Sequence, residues 1–231
     1  ARPQSFSSFG EVEVEGDTVS NHDISRALSA CAWPAQQAGR EVIHSMPVNF
    51  TLDSATMAAD PRGMAAKYLS VDLMTVSVAT APLQNLATCV RRCDLELAGV
   101  VVAPYAAALS GMIEDEHKLG AACIDLGAGA TNISIFLRNH LIYADSVRVG
   151  GDHLTSDIAT ALSMPIQSAE RIKTLHGGAV ATGLDDRELI EAPYIGAGGA
   201  SDRRRISRSA LIGVIRPRLE EMFEDIRNSL D

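Results

Sequence analysis

Long apolar runs are missing from this chain. No window approaches the roughly 18 to 20 uninterrupted apolar residues of a membrane-crossing helix, and no basic-then-apolar leader stands at the start. No helical span is expected. Basic residues are also in deficit: Lys and Arg total 20 against 29 Asp and Glu, for a net charge of −9. That balance argues against a polyanion, nucleic acid included, as the main partner. Cysteines stand only at 31, 89, 93 and 123, which suggests no disulfide framework. Cys89 and Cys93 are four apart on a predicted helix, and no second pair or nearby His completes a zinc set. Both are expected as buried small hydrophobes under reducing, intracellular conditions. The histidines at 22, 44, 117, 140, 153 and 176 lack metal-ligand spacing. Aromatics make up 4% and hydrophobic residues 46% of the 231 residues, which suits an α/β protein of one or two domains. The chain opens at Ala1, without Met, on what reads as a strand already in progress, so a piece of something longer is expected.

What is present centres on residues 121 to 137, AACIDLGAGATNISIFL. A strand ends in Asp125, a turn follows as Leu126-Gly127-Ala128-Gly129-Ala130, and a second strand opens on Thr131. Ile133 and Ile135 alternate with Asn132 and Ser134, so the segment reads as β-turn-β. Gly127 and Gly129 can take φ > 0 and let backbone N–H groups converge on an anion such as phosphate. Asp125 could hold a metal-bound water, and Thr131 could donate its hydroxyl to a phosphate oxygen. An ordinary hairpin turn uses the same glycines. No Lys-Ser/Thr pair and no helix follow, which argues against a P-loop.

On either side, local pattern predicts the framework. Ser20 or Asn21 caps a helix with an Ile24, Ala27, Leu28, Cys31 face, ended by Trp33-Pro34. Strands follow at Glu41 to Met46, interrupted at Pro47, and at Leu69 to Ala79, with a turn at Asp60-Pro61-Arg62-Gly63 between them. Together these make a small α+β unit. Leu83, Leu86, Val90 and Cys93 mark a helix, Val100 to Val102 a short buried strand, Pro104 to Met112 a second helix, and Glu114 to Lys118 a solvated connection. After the hairpin come a strand at Leu141 to Val149, a break at Gly150-Gly151, and a helix over Asp152 to Ala161 whose N-terminus is a second natural anion site. Residues 166 to 176 form a helix closed by Gly177-Gly178. It carries Glu170 and Lys173 on one face, which could be no more than a surface ion pair. Arg203 to Arg205, after the small-residue stretch Gly196 to Ser201, read as solvated loop. From Ser207 a one-sided helix runs to the end, and Pro217 should kink or split it.

A βββα order with Asp-x-Gly-x-Gly-x-Thr, then Gly-Gly before a helix, then Glu-x-x-Lys, resembles the second half of the actin/Hsp70/sugar-kinase ATPase fold. The run VGGDHLTSDIATALSMPIQSAERIKTLHGGAV at residues 149 to 180, with Ile215-Arg216-Pro217-Arg218 before an acidic helix, is similar to the FtsA family of bacterial cell-division actins. That resemblance covers nearly the whole chain. It implies a partial actin-like (ribonuclease H-like) ATPase fold with a small inserted α+β subdomain: residues 1–15 and 79–120 in subdomain 1A, 16–78 in 1C, 121–150 in 2A and 151–231 in 2B. It implies ATP and Mg²⁺ as cofactors. Asp125, Gly127, Gly129 and Thr131 would form the second phosphate motif with the metal near Asp125, Gly150 and Gly151 would lie beside the phosphates, and Glu170 and Lys173 would contact adenosine. Ala128 and Ala130 stand where the family often has glycine, which stiffens the turn without removing a donor.

The function implied is a peripheral protein on the inner face of the cell membrane at the division site. It would tether FtsZ through 2B, self-associate into filaments, and recruit later division proteins through 1C, with at most weak ATPase activity. The family's first phosphate motif would lie before Ala1, and its second adenosine-binding glycine segment and membrane-binding helix beyond Asp231. The alternative is a metabolic kinase or phosphatase of the same superfamily, which needs a further carboxylate in the cleft; Asp152 is the nearby candidate. A chaperone-type ATPase is disfavoured by the small unit at 16 to 78.

Overall fold

Ser20 starts the first helix, as its sequence context predicts. Its hydroxyl accepts the Asp23 amide at 3.3 Å, and Asp23 in return accepts the Ser20 amide at 2.9 Å, a reciprocal cap that satisfies two helix-end donors. The computed structural model describes residues 2–31, 39–193 and 203–230. The Trp33-Pro34 stop and the Gly196 to Ser201 loop lie outside them. Two compact units divide the chain, Ala1–Asp125 with Asn132–Ser146, and Leu126–Thr131 with Val147–Asp231.

In the first unit, β1 (Gln4–Glu13), α1 (Asn21–Ala30), β2 (Arg40–Leu52), β3 (Thr56–Ala58) and β4 (Tyr68–Ala79) build an antiparallel sheet of order β1-β4-β2-β3, with α1 packed on β1 and β4. β4 is central, with both edges paired, and burial at successive residues shows that both of its faces are covered. Leu69, Val71, Met74 and Val76 are all buried, which explains its near-continuous apolar content. β2 runs on through Pro47, contrary to the interruption expected there. β3 pairs only with Phe50 to Leu52, which leaves Pro47 on an unpaired edge next to a register shift between Pro47 and Asn49. Pro47 is in register with Leu73 of β4 beside that shift, an irregular position of the kind that accommodates proline in a strand.

The unit continues with α2 (Thr80–Arg91), α3 (Ala103–Gly111), α4 (Glu114–Leu119), β5 (Ala121–Leu126), β6 (Thr131–Leu137) and β7 (His140–Val147), the strands in order β5-β6-β7. Arg138 and Asn139, both at positive φ, make the two-residue turn between β6 and β7. Three expectations fail here. Val100 to Val102 is not a strand; the Val102 amide donates to His44 Nε2 at 3.2 Å and Val101 is exposed. The charged run at 114 to 118 is helical, its first turn closed by the Ile113 amide donating to Glu116 Oε2 at 2.9 Å. Cys89 and Cys93 are exposed, because α2 turns Ala87 inward.

The second unit consists of the Leu126–Thr131 turn, α5 (Gly151–Ala161), α6 (Ile166–His176), the hairpin β8 (Leu189–Pro193) with β9 (Arg203–Ser207), and α7 (Arg208–Leu230). Ile158, Met164, Ala169, Ile172, Ile190, Leu211 and Ile215 form its core. Arg203 to Arg205 lie in β9 and not in a loop, with Arg205 opposite Glu191. The β8–β9 hairpin was illegible locally, since five-residue strands acquire identity only from their partner. α7 is one helix through Pro217. Pro217 and Gly213, whose carbonyl loses its donor, are both exposed, so water can serve the orphaned acceptor. Arg218 ties α7 to α5 through Asp157 at 2.6 and 3.1 Å.

Candidate functional site

The turn between β5 and β6 is closed by the Gly127 amide donating to the Ala130 carbonyl at 3.1 Å. Neither Gly127 nor Gly129 takes the positive φ expected of it; the positive-φ glycines among the described residues are 16, 39, 63 and 120. Gly127 is required by close approach instead, since a Cβ there would stand 2.7 Å from the Ala130 oxygen. Around Gly129 a Cβ would meet open space. The amides of Ala128, Gly129 and Ala130 donate to no acceptor among the described residues, and Ala128 and Gly129 are exposed. Three consecutive N–H groups without a protein acceptor on a held turn are available to an anion such as phosphate.

Gly150 and Gly151 hold that turn. The Gly151 amide donates to the Gly127 carbonyl at 3.0 Å and the Asp152 amide to the Ala128 carbonyl at 2.8 Å, while the Gly150 amide donates to His153 Nδ1 at 3.2 Å. These are the donors expected to make the α5 N-terminus a second anion site. They are committed to the turn and to His153, so this helix end acts as a clamp and not as a separate site. The reason is tertiary: the turn carbonyls face the helix end. Asp152, the carboxylate of the kinase alternative, has an exposed side chain.

Thr131 is fully buried, and its hydroxyl donates to the Val149 carbonyl at 2.8 Å, with Met222 Sδ of α7 at 3.4 Å. It pins the base of the turn to the chain just before Gly150. Asp125 belongs by its contacts to the first unit, where Asn132 Nδ2 donates to its Oδ2 at 2.8 Å.

Glu170 and Lys173 meet at 2.7 Å, and Lys173 is 20% exposed against 52% for Glu170, so the pair is more than a solvated ion pair. Lys173 Nζ also donates to the Gly151 carbonyl at 3.0 Å and to Thr155 Oγ1 at 2.8 Å. The Thr155 hydroxyl contacts Glu170 Oε2 as well. Lys173, and after it Thr155, hold the Glu170 carboxyl below its ordinary pKa. Sequence reasoning missed Thr155 as a site residue. Its place one turn after Gly151, facing α6, was the available signal.

The second unit thus brings Gly127, Gly129, Thr131, Gly150, Gly151, Glu170 and Lys173 into one connected set of turn, helix end and ion pair. The chain has an actin-like α/β fold. MreB5 of Spiroplasma citri bound to ADP superposes with a TM-score of 0.55 at 22% identity over 66% of this chain and 48% of that one. The PilM-PilN type IV pilus biogenesis complex gives 0.59 at 15% identity over 98% and 55%. Two family models match, "Cell division protein FtsA" over residues 122–227 and "SHS2 domain inserted in FTSA" over residues 1–77. Curated FtsA proteins are 36% identical over 95% of the chain in Agrobacterium fabrum and 34% over 98% in Pseudomonas aeruginosa. The chain belongs to the FtsA cell-division protein family. It spans about half the length of the curated relatives it matches, 49% and 54% for those two. These matches favour the cell-division reading over a metabolic kinase or phosphatase. Among the described residues no helix is long and apolar enough to cross a membrane.

Proposed function

We propose that the full-length protein containing this chain binds ATP with Mg²⁺ and uses the bound nucleotide to control a scaffold at the bacterial division site. The observation that carries the nucleotide reading is the run of three amides at 128 to 130 without acceptors, on a turn clamped by Gly150 and Gly151. Solved structures of MreB5 with ADP and with AMPPNP, on the same fold, support it. In this reading the amides and Gly127 cradle phosphate oxygens. Thr131 shapes the turn from beneath, and Glu170 and Lys173 serve the adenosine.

Asp125 fits a Mg²⁺ role: Asn132 occupies one carboxylate oxygen and orients the other, and Mg²⁺ favours a single carboxylate combined with waters and phosphates. When bound, the ion neutralises phosphate charge. We assign no catalytic base and regard turnover as weak. Subdomain 1A is proposed at 1–15 and 79–120, 2A at 121–150 and 2B at 151–231. The inserted 1C unit at 16–78, whose sheet β1 completes, would recruit later division proteins. The 2B unit would meet FtsZ, and copies of the chain would associate into filaments, peripheral to the cytoplasmic face of the membrane.

Titration of full-length protein with ATP and Mg²⁺ tests the site. Asp125→Ala and Gly127→Val are expected to weaken binding at least about tenfold, given charge-assisted contacts to phosphate. Unchanged affinity in both, with native folding, would show the site assignment to be wrong.

A further inference from the structure

We propose that Thr155 is a positioning residue for the nucleoside end of the nucleotide, an inference that rests on the ATP reading above. Thr155 lies in the first turns of α5, 4% exposed, and its hydroxyl meets polar partners from two helices. These are the Gly151 carbonyl at 3.0 Å, Lys173 Nζ at 2.8 Å and Glu170 Oε2. An ammonium only donates, whereas a hydroxyl has one proton and two lone pairs. Thr155 Oγ1 therefore accepts from Lys173 and gives its proton to the Gly151 carbonyl or to the Glu170 carboxylate, the charged acceptor making the stronger bond.

The three Lys173 protons then have three acceptors within the protein: Gly151 O, Thr155 Oγ1 and Glu170 Oε2, at 3.0, 2.8 and 2.7 Å. The ammonium is saturated, so its effect on a ligand passes through the groups it holds. Glu170 is different. Its side chain is 52% exposed, and a carboxylate has acceptor positions beyond those taken at one oxygen. Thr155 and Lys173 fix Oε2 and so set the direction in which the remaining acceptors face. Gly151 completes the link. The residue whose carbonyl accepts from Lys173 donates its own amide to Gly127 at 3.0 Å. Lys173 thereby makes the link to the chain that holds the phosphate turn, while the Thr155 hydroxyl acts on the carboxylate serving the nucleoside.

Calorimetric titration of the full-length protein with Mg²⁺·ATP and with Mg²⁺·tripolyphosphate, which lacks the nucleoside, tests this. Thr155→Val keeps the volume and removes the hydroxyl. It is expected to weaken ATP binding about tenfold, in line with loss of a charge-assisted hydrogen bond. Tripolyphosphate affinity should stay unchanged, and Thr155→Ser should restore ATP binding. ATP affinity equal to wild type in Thr155→Val overturns the proposal. So does equal loss for both ligands, a Thr155→Ser protein as weak as Thr155→Val, or a Thr155→Val protein that does not fold, since each makes the hydroxyl merely structural or idle. Wild-type protein that binds neither ligand overturns the nucleotide reading itself, and this inference with it.

Discussion

Gly150 lies against Gly127 so closely that a Cβ on Gly150 would stand 2.5 Å from the Gly127 carbonyl oxygen and equally near that of Ala128. Those two backbones form one rigid step between turn and helix. The hydrogen bonds from Gly151 and Asp152 to the same two carbonyls depend on that approach.

Gly150→Ala is therefore expected to push the turn away from α5, with a loss of about 1–3 kcal/mol in stability from overpacking and weaker ATP binding. Gly129→Ala, where the space is open, should stay within about 0.5 kcal/mol of wild type, as surface substitutions do. Urea unfolding of the two variants side by side checks the contrast, and equal losses would contradict it.

The buried Thr131 hydroxyl holds the Val149 carbonyl. Thr131→Val should cost about 1–2 kcal/mol, because the acceptor loses its donor while the volume is kept. Thr131→Ser should retain ATP affinity better than Thr131→Val. Chemical denaturation combined with ATP titration measures both.

Asp23 is fully buried and accepts the amides of Glu15 and Ser20, the Ser20 hydroxyl and Arg26. The Ser20 hydroxyl first, then the Glu15 and Ser20 amides, hold its carboxyl far below the ordinary range. A depressed folded-state pKa gives stability that is fully present above the unfolded value of about 3.9 and is lost as pH falls through the folded value. Asp185 has the same direction, from the Thr182 amide foremost. Urea midpoints taken from pH 6 downward should fall on the acid side. Asp23→Asn should lower the neutral-pH midpoint and flatten that fall, and an unchanged acid slope would contradict the assignment.

Pro217 withholds an N–H from the exposed Gly213 carbonyl. Pro217→Ala should raise the stability of the second unit by about 1–3 kcal/mol, since proline is the poorest residue in a helix interior. A thermal melt that shows no gain would mean that proline's backbone restriction in the unfolded chain compensates.

The hairpin, the Ser20 cap, β4, α5 and α6 were legible in the sequence because each is written in local periodicity and glycine punctuation. The Glu170/Lys173 pair was legible because residues three apart on a helix share a face. β3, β8 and β9 were not, since short strands have no signature without partners. The burial of Cys89 and Cys93 was misjudged because a helix face does not say which neighbour covers it.

By itself the sequence determined the longer helices and strands and which residues could serve a phosphate, because backbone preference and side-chain chemistry belong to the residue. Tertiary structure alone decided how those groups are used. It committed the α5 donors to the turn, drew the Thr131 hydroxyl to Val149, and gathered Gly151 and Thr155 around Lys173. A hydrogen bond needs a partner at the right distance, and distance between remote residues is a property of the fold.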